Sequence, residues 1–107
     1  MTWRVRDRST FSALATTPRR RRGPISVTCL AGDEHVPPRV AYAVGRKVGG
    51  AVTRNRVRRR LRASVARHRG ALQPGAAYLI GAGREAATMP FAELDTALGE
   101  LLAGSHR

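Results

Sequence analysis

Between Glu34 and Glu85 the chain carries no carboxylate. Inside that interval Arg46, Lys47, Arg54, Arg56, Arg58, Arg59, Arg60 and Arg62 crowd into the stretch RKVGGAVTRNRVRRRLR, with Arg39 just upstream. Such a set can do electrostatic chemistry: it can neutralise a polyanion, and guanidinium groups suit bidentate contacts to phosphate. Left without a partner, these charges would repel one another. Asn55, a weak helix former among strong ones, can hydrogen-bond a nearby backbone group or a nucleic-acid group. A solvated basic face with no ligand is the plain alternative; charge this dense and free of acids argues for a bound polyanion.

Covalent chemistry finds little support. The acids Asp7, Asp33, Glu34, Glu85, Glu93, Asp95 and Glu100 are scattered outside the basic block. No two are spaced for an acid/base pair or a two-metal site. No nucleophile elbow accompanies the Ser and His residues, and Gly49-Gly50 lacks the rest of a phosphate-binding loop. His35 has no second His or Cys nearby, so no metal is expected on the protein. Cys29, the single cysteine, excludes an intrachain disulfide and points to a reducing, cytoplasmic setting. A buried, inert thiol is expected there.

The basic residues need a helix to hold them. Gly49-Gly50 makes a turn, and no Pro or Gly interrupts Val52 to His68. At about 100° per residue, Val57, Leu61 and Val65 stack into a narrow apolar seam. Asn55, Arg58, Arg59 and Arg62 fall on one flank of the seam, and Arg56, Arg60 and Arg67 on the other. This helix is therefore expected to bury its seam on a sheet and present two basic flanks. Arg54 lies near the seam by angle but, in the first turn, is expected to reach outward.

The other elements follow from pattern. Residues 7 to 16 read as a short helix capped near Asp7 or Ser9, with Phe11 and Leu14 three apart and Pro18 ending it. Trp3 and Val5 are expected to pack back onto the domain, and Arg19–Arg22 with Gly23-Pro24 reads as a basic loop. Ile25–Leu30 alternates as a strand. Residues 32–38 form a turn-rich connection with His35 exposed. Arg39–Gly45 is a second strand, with Val40, Tyr42 and Val44 on one face and the small Ala41 and Ala43 on the other. Ala76–Gly83 is a third strand, apolar enough to be central. Arg84–Met89 reads as a loop. Pro90 then leads into a helix whose Phe91, Leu94, Leu98, Leu101 and Leu102 face the core, with Glu93, Asp95 and Glu100 turned away. Residues 104–107 are expected to fray. The pattern is α+β, a small mixed sheet of three to four strands with flanking helices, in one domain over residues 1–107.

Composition narrows the partner. The 107 residues hold 20 Lys and Arg against 7 Asp and Glu, a net charge of +13. Nucleic acid or an anionic membrane fits such a balance. No apolar run approaches the roughly 20 residues of a membrane span. No aromatic-lined interfacial helix is visible, and the first residues lack the apolar core of a secretory signal. A DNA-binding helix-turn-helix is not apparent either.

The run Lys47-Val48-Gly49-Gly50-Ala51-Val52-Thr53-Arg54-Asn55-Arg56-Val57-Arg58-Arg59-Arg60-Leu61-Arg62 resembles the signature of the protein subunit of bacterial ribonuclease P. The similarity covers about residues 4 to 102. It implies the order α-β-β-(β)-α-β-α, with one short strand beyond those visible here, and a left-handed β-α-β crossover through the basic helix. It also implies a protein without catalytic residues of its own. The RNA subunit would be the catalyst and hold the Mg²⁺, with none bound by the protein alone. The partners implied are ribonuclease P RNA and precursor tRNA, with no membrane and no required protein partner. Arg46, Lys47, Arg54, Asn55, Arg56, Arg58, Arg59 and Arg62 match the RNA-binding face. Phe11 and Tyr42 are the candidate residues for the 5′ leader. The family's second helix aromatic aligns with Ala15 and a strand aromatic with Thr28, which shifts weight from base stacking to backbone contacts. A ribosomal or other structural-RNA-binding protein is the alternative, since charge and size fit it equally.

Overall fold

Alternation along three strands decides which way the sheet faces. Ile25 and Val27, Val40 and Val44, and Tyr78 and Ile80 point to one side, where they are buried together with Val57, Leu61 and Val65. The computed structural model describes residues 3–104. It contains β1 (Trp3–Arg4), α1 (Arg8–Thr16), β2 (Arg20–Arg22), β3 (Ile25–Leu30), β4 (Arg39–Val44), α2 (Ala51–Arg67), β5 (Ala77–Ala82) and α3 (Phe91–Gly104). The strands form one mixed sheet in the order β1-β4-β5-β3-β2. β4 runs parallel to β1 and β5, while β3 is antiparallel to β5 and β2. The central place of β5 matches its apolar sequence.

The expected α+β architecture is present, with the helices close to their predicted bounds. The Arg19–Arg22 loop is a correction: Arg20–Arg22 forms β2, paired with Ile25–Val27 across Gly23-Pro24. It supplies the short strand implied by the resemblance. A run of arginines has no alternation of its own, so only the partner strand reveals this one. Two-residue β1 was equally invisible. The expected loop after β5 holds a 3-10 turn, Arg84–Ala87. Val5 packs inward as expected; Gly104, expected to fray, still belongs to α3, while the expected packing of the Trp3 side chain and the fraying of residues 105–107 lie outside what is described.

The two faces of the sheet are covered unequally. α2 and α3 cover the large core. α1 covers the other face through a smaller cluster of Val5, Leu14, Ala41 and Ala77. The seam of α2 behaves as its spacing predicts: Val57 and Leu61 are fully buried and Val65 nearly so. α3 buries Leu94, Leu98, Leu101 and Leu102.

Asp95 corrects the expected stripe, because it turns toward α2 instead of solvent. Its carboxylate accepts from the buried Ser64 Oγ at 2.8 Å and Arg67 Nε at 3.0 Å, and lies 3.1 Å from His68 Nε2. Gly99 makes room for this arrangement, since a Cβ there would stand 2.6 Å from the His68 ring. Burial pushes the Asp95 carboxyl up. Bonds from Ser64 and Arg67, with the charges of Arg67 and His68, outweigh burial and hold it below the ordinary 3.8.

A group with a depressed folded pKa stabilises the fold above its unfolded pKa and loses that contribution as pH falls through the folded value. Thermal stability should therefore fall as pH drops below 3.8, and Asp95→Asn should flatten that dependence. Asp95→Ala, which leaves the buried Ser64 hydroxyl unpaired, should cost about 1–3 kcal/mol at neutral pH. Leu61→Ala should cost about 2–5 kcal/mol in urea unfolding by opening a cavity under α2.

Candidate nucleic-acid interface

The two flanks of α2 meet different surroundings. On the inner flank, Arg56 Nη2 donates to Ala87 O at 3.1 Å. Arg60 donates to Ala86 O at 3.2 Å and to Met89 O. Arg67 pairs with Asp95. These three arginines tie α2 to the segment before α3 and to α3 itself, so the two basic flanks differ: the inner one is braced within the protein, although Arg56 stays exposed and neither it nor Arg60 pairs with a carboxylate among the described residues. Arg39 likewise leaves the free set, because its guanidinium pairs with Asp7 at 3.1 Å. Both partners are distant in sequence, which is why an acid-free interval hid them.

The outer flank stays open. Asn55, Arg58, Arg59 and Arg62 line a hollow of about 690 Å³ with Val52, which is 83% exposed. Asn55 Oδ1 accepts from Arg58 Nη1 at 3.1 Å, and Arg58 Nη2 reaches Val44 O at 3.5 Å. Asn55 thus orients an arginine of the next turn. Arg54 is half-buried, with its Nε unpartnered among the described residues. Arg46 and Lys47 stand exposed on the 3-10 turn between β4 and α2. Arg84 Nε donates to Lys47 O at 3.4 Å, so the turn after β5 braces the turn after β4. Among the described residues Arg46, Lys47, Arg54, Arg58, Arg59 and Arg62 form no ion pair.

Beside this flank runs a groove of about 440 Å³ at the edge of β4, between α1 and α2. Among the described residues β1 pairs only with Arg39 and Val40, and no other described strand neighbours the rest of the outer edge of β4. Phe11, Tyr42, Arg58 and Arg62 all line it, although they come from three elements. Phe11 is 43% exposed, so it serves as a wall of the groove rather than a core residue. The Arg62 guanidinium lies 5.6 Å from the centroid of the Tyr42 ring, within cation–π range. Burial pushes the Tyr42 hydroxyl up against the opposing charge of Arg62, which keeps it a neutral donor. Ala15 is exposed, and Thr28 is buried in the sheet, so neither adds an aromatic surface.

Sequence reasoning missed Arg4 and Arg69 in this groove. Arg4 reaches the groove from β1, which pairs with β4, and Arg69 from the 3-10 turn that follows α2; neither placement follows from local pattern. The arginines of β2 also divide by face. Arg20 donates to Gly104 O, and Arg22 pairs with Glu100 at 2.8 Å. Arg21 stands opposite Ser26 on the other face. Among the described residues no group of three or more His, Cys, Asp or Glu could hold a metal ion.

This arrangement has relatives. The Ribonuclease P family model matches residues 1–105. The chain is 37% identical to the ribonuclease P protein component of Streptomyces bikiniensis, over 97% of this chain and 95% of that protein. It is 39% identical to that of Acidothermus cellulolyticus, over 94% and 85%. Among solved structures it is similar to the RNase P protein from Thermotoga maritima, with a TM-score of 0.80, 21% identity and 94% of each chain covered. The Staphylococcus aureus RNase P protein gives a TM-score of 0.78 at 19% identity, over 94% of this chain and 92% of that one. By family model and by sequence, this chain belongs to the ribonuclease P protein family.

Proposed function

We propose that the chain is the RNA-binding subunit of a ribonuclease P ribonucleoprotein that removes the 5′ leader of precursor tRNA. The observation that supports this most strongly is the continuity of two surfaces. Arg58 and Arg62 belong both to the unpaired outer flank of α2 and to the groove lined by Phe11 and Tyr42. One polyanion on the flank can therefore pass a single strand to the groove without leaving positive potential.

The division of labour is as follows. Arg59, Arg58 and Arg62, with Arg46, Lys47 and Arg54 toward the start of α2, neutralise phosphates of the RNA subunit and release its counterions. Phe11 and Tyr42 offer ring surface to the leader, while Arg58 and Arg62 hold its backbone. The RNA subunit carries the catalysis and the Mg²⁺, which supplies the metal-assisted hydrolysis. The protein lowers repulsion between RNA and substrate, so the metal site forms at lower Mg²⁺. It works in the cytoplasm with RNA partners alone. Among the described residues no helix is long and apolar enough to cross a membrane.

Reconstitution tests the assignment against a purely structural RNA-binding role. The chain, mixed with a bacterial ribonuclease P RNA and precursor tRNA at low Mg²⁺, should stimulate leader cleavage; no stimulation would favour the structural role. Within α2, Arg59→Ala or Arg62→Ala should reduce the slope of log affinity against log salt by about one unit. Arg60→Ala should leave that slope unchanged and instead lower the melting temperature, since its guanidinium holds two carbonyls inside the protein.

A further inference from the structure

α1 is too short to place itself. Nine residues span about 13 Å, below the length at which a helix holds in water without docking. Its buried residues are Thr10 and Leu14 alone, and Leu14 enters the small cluster of Val5, Ala41 and Ala77. One apolar anchor leaves a helix free to pivot. Phe11 lies between the two ends of α1, nearly half exposed, so the ring inherits its place from the helix that carries it.

The second anchor is Asp7. Its Oδ2 accepts from Thr10 N at 2.9 Å, Ser9 Oγ at 2.8 Å and Thr10 Oγ1, which caps the helix. Its other oxygen, Oδ1, accepts from Arg39 Nη1 at 3.1 Å, and the same nitrogen lies 3.4 Å from Thr10 Oγ1. Arg39 is held in turn by β4. Its backbone N–H donates to Ala76 O at 2.9 Å, and its strand position lies between Trp3 of β1 and Ala77 of β5. A carboxylate at the head of α1 is thereby fixed to the strand that forms the floor of the groove. Bonds from Thr10 and Ser9 hold the Asp7 carboxyl far below the usual range, so the clamp keeps its charge.

We propose that Asp7, acting through Arg39, is a positioning residue: it fixes the angle of α1 over β4 and so sets the distance from Phe11 to the floor of the groove. This rests on the reading that the groove takes the leader. Asp7→Asn separates the clamp from the cap, because Asn caps a helix as well as Asp does but brings no charge to Arg39.

The measurement is the affinity of the reconstituted ribonucleoprotein for precursor tRNA divided by its affinity for mature tRNA. For Asp7→Asn this ratio should fall about three- to fivefold, the range of a well-placed exposed ion pair. Affinity for mature tRNA and for the RNA subunit should not change. Arg39→Gln should act alike, and the double variant should lose no more than either single one. An unchanged ratio for Asp7→Asn, with a reduced ratio for Phe11→Ala, would overturn the clamp and leave the leader groove standing. An equal loss toward both tRNAs would also overturn it, by making Asp7 a general support of the fold. An unchanged ratio for Phe11→Ala would remove the leader groove itself, and the clamp with it.

Discussion

A helix that carries this many arginines can lie on a hydrophobic sheet only if each guanidinium has something to face. Burying the seam of Val57, Leu61 and Val65 brings both charged flanks toward protein surface, where an unpaired charge is costly to desolvate. The fold meets the constraint asymmetrically. The flank next to α3 donates to the carbonyls of Ala86, Ala87 and Met89 and to the Asp95 carboxylate of α3. The other flank faces outward without a counter-ion among the described residues. Its electrostatic free energy is left for a partner of opposite charge to lower.

α3 has a larger part than an apolar stripe suggests. Asp95 holds the last turns of α2, Glu100 holds Arg22 of β2, and the Gly104 carbonyl receives Arg20. Cations near the carbonyl end of a helix also complement its dipole. A single acidic helix thus steadies both basic elements on its side of the sheet, while Arg21 and the outer arginines of α2 remain open. Gly99 belongs to the same device, since a Cβ there would crowd the His68 ring.

On the opposite face, a short helix covers a smaller cluster of mostly small side chains. The incomplete pairing of β1 with β4 keeps an edge open where Phe11, Tyr42 and Arg62 converge. With Ala15 and Thr28 where the family resemblance places aromatics, ring surface is confined to that edge.

Much was legible in the order of residues alone. The seam of α2, the alternation of β3 and β4, the apolar run of β5 and the leucines of α3 are local patterns, and burial follows from their periodicity. The outward set Asn55, Arg58, Arg59 and Arg62 could be placed on one flank by angle, and the spaced Arg-Asn-Arg run carried the family. What the order could not supply is which charges would be neutralised. Asp7 and Arg39, Asp95 and Arg67, and Glu100 and Arg22 are paired across the chain. β2 exists only because Ile25–Val27 offers it hydrogen bonds. Periodicity is a property of neighbours along the chain, whereas charge compensation and strand pairing depend on distances that only the folded topology sets.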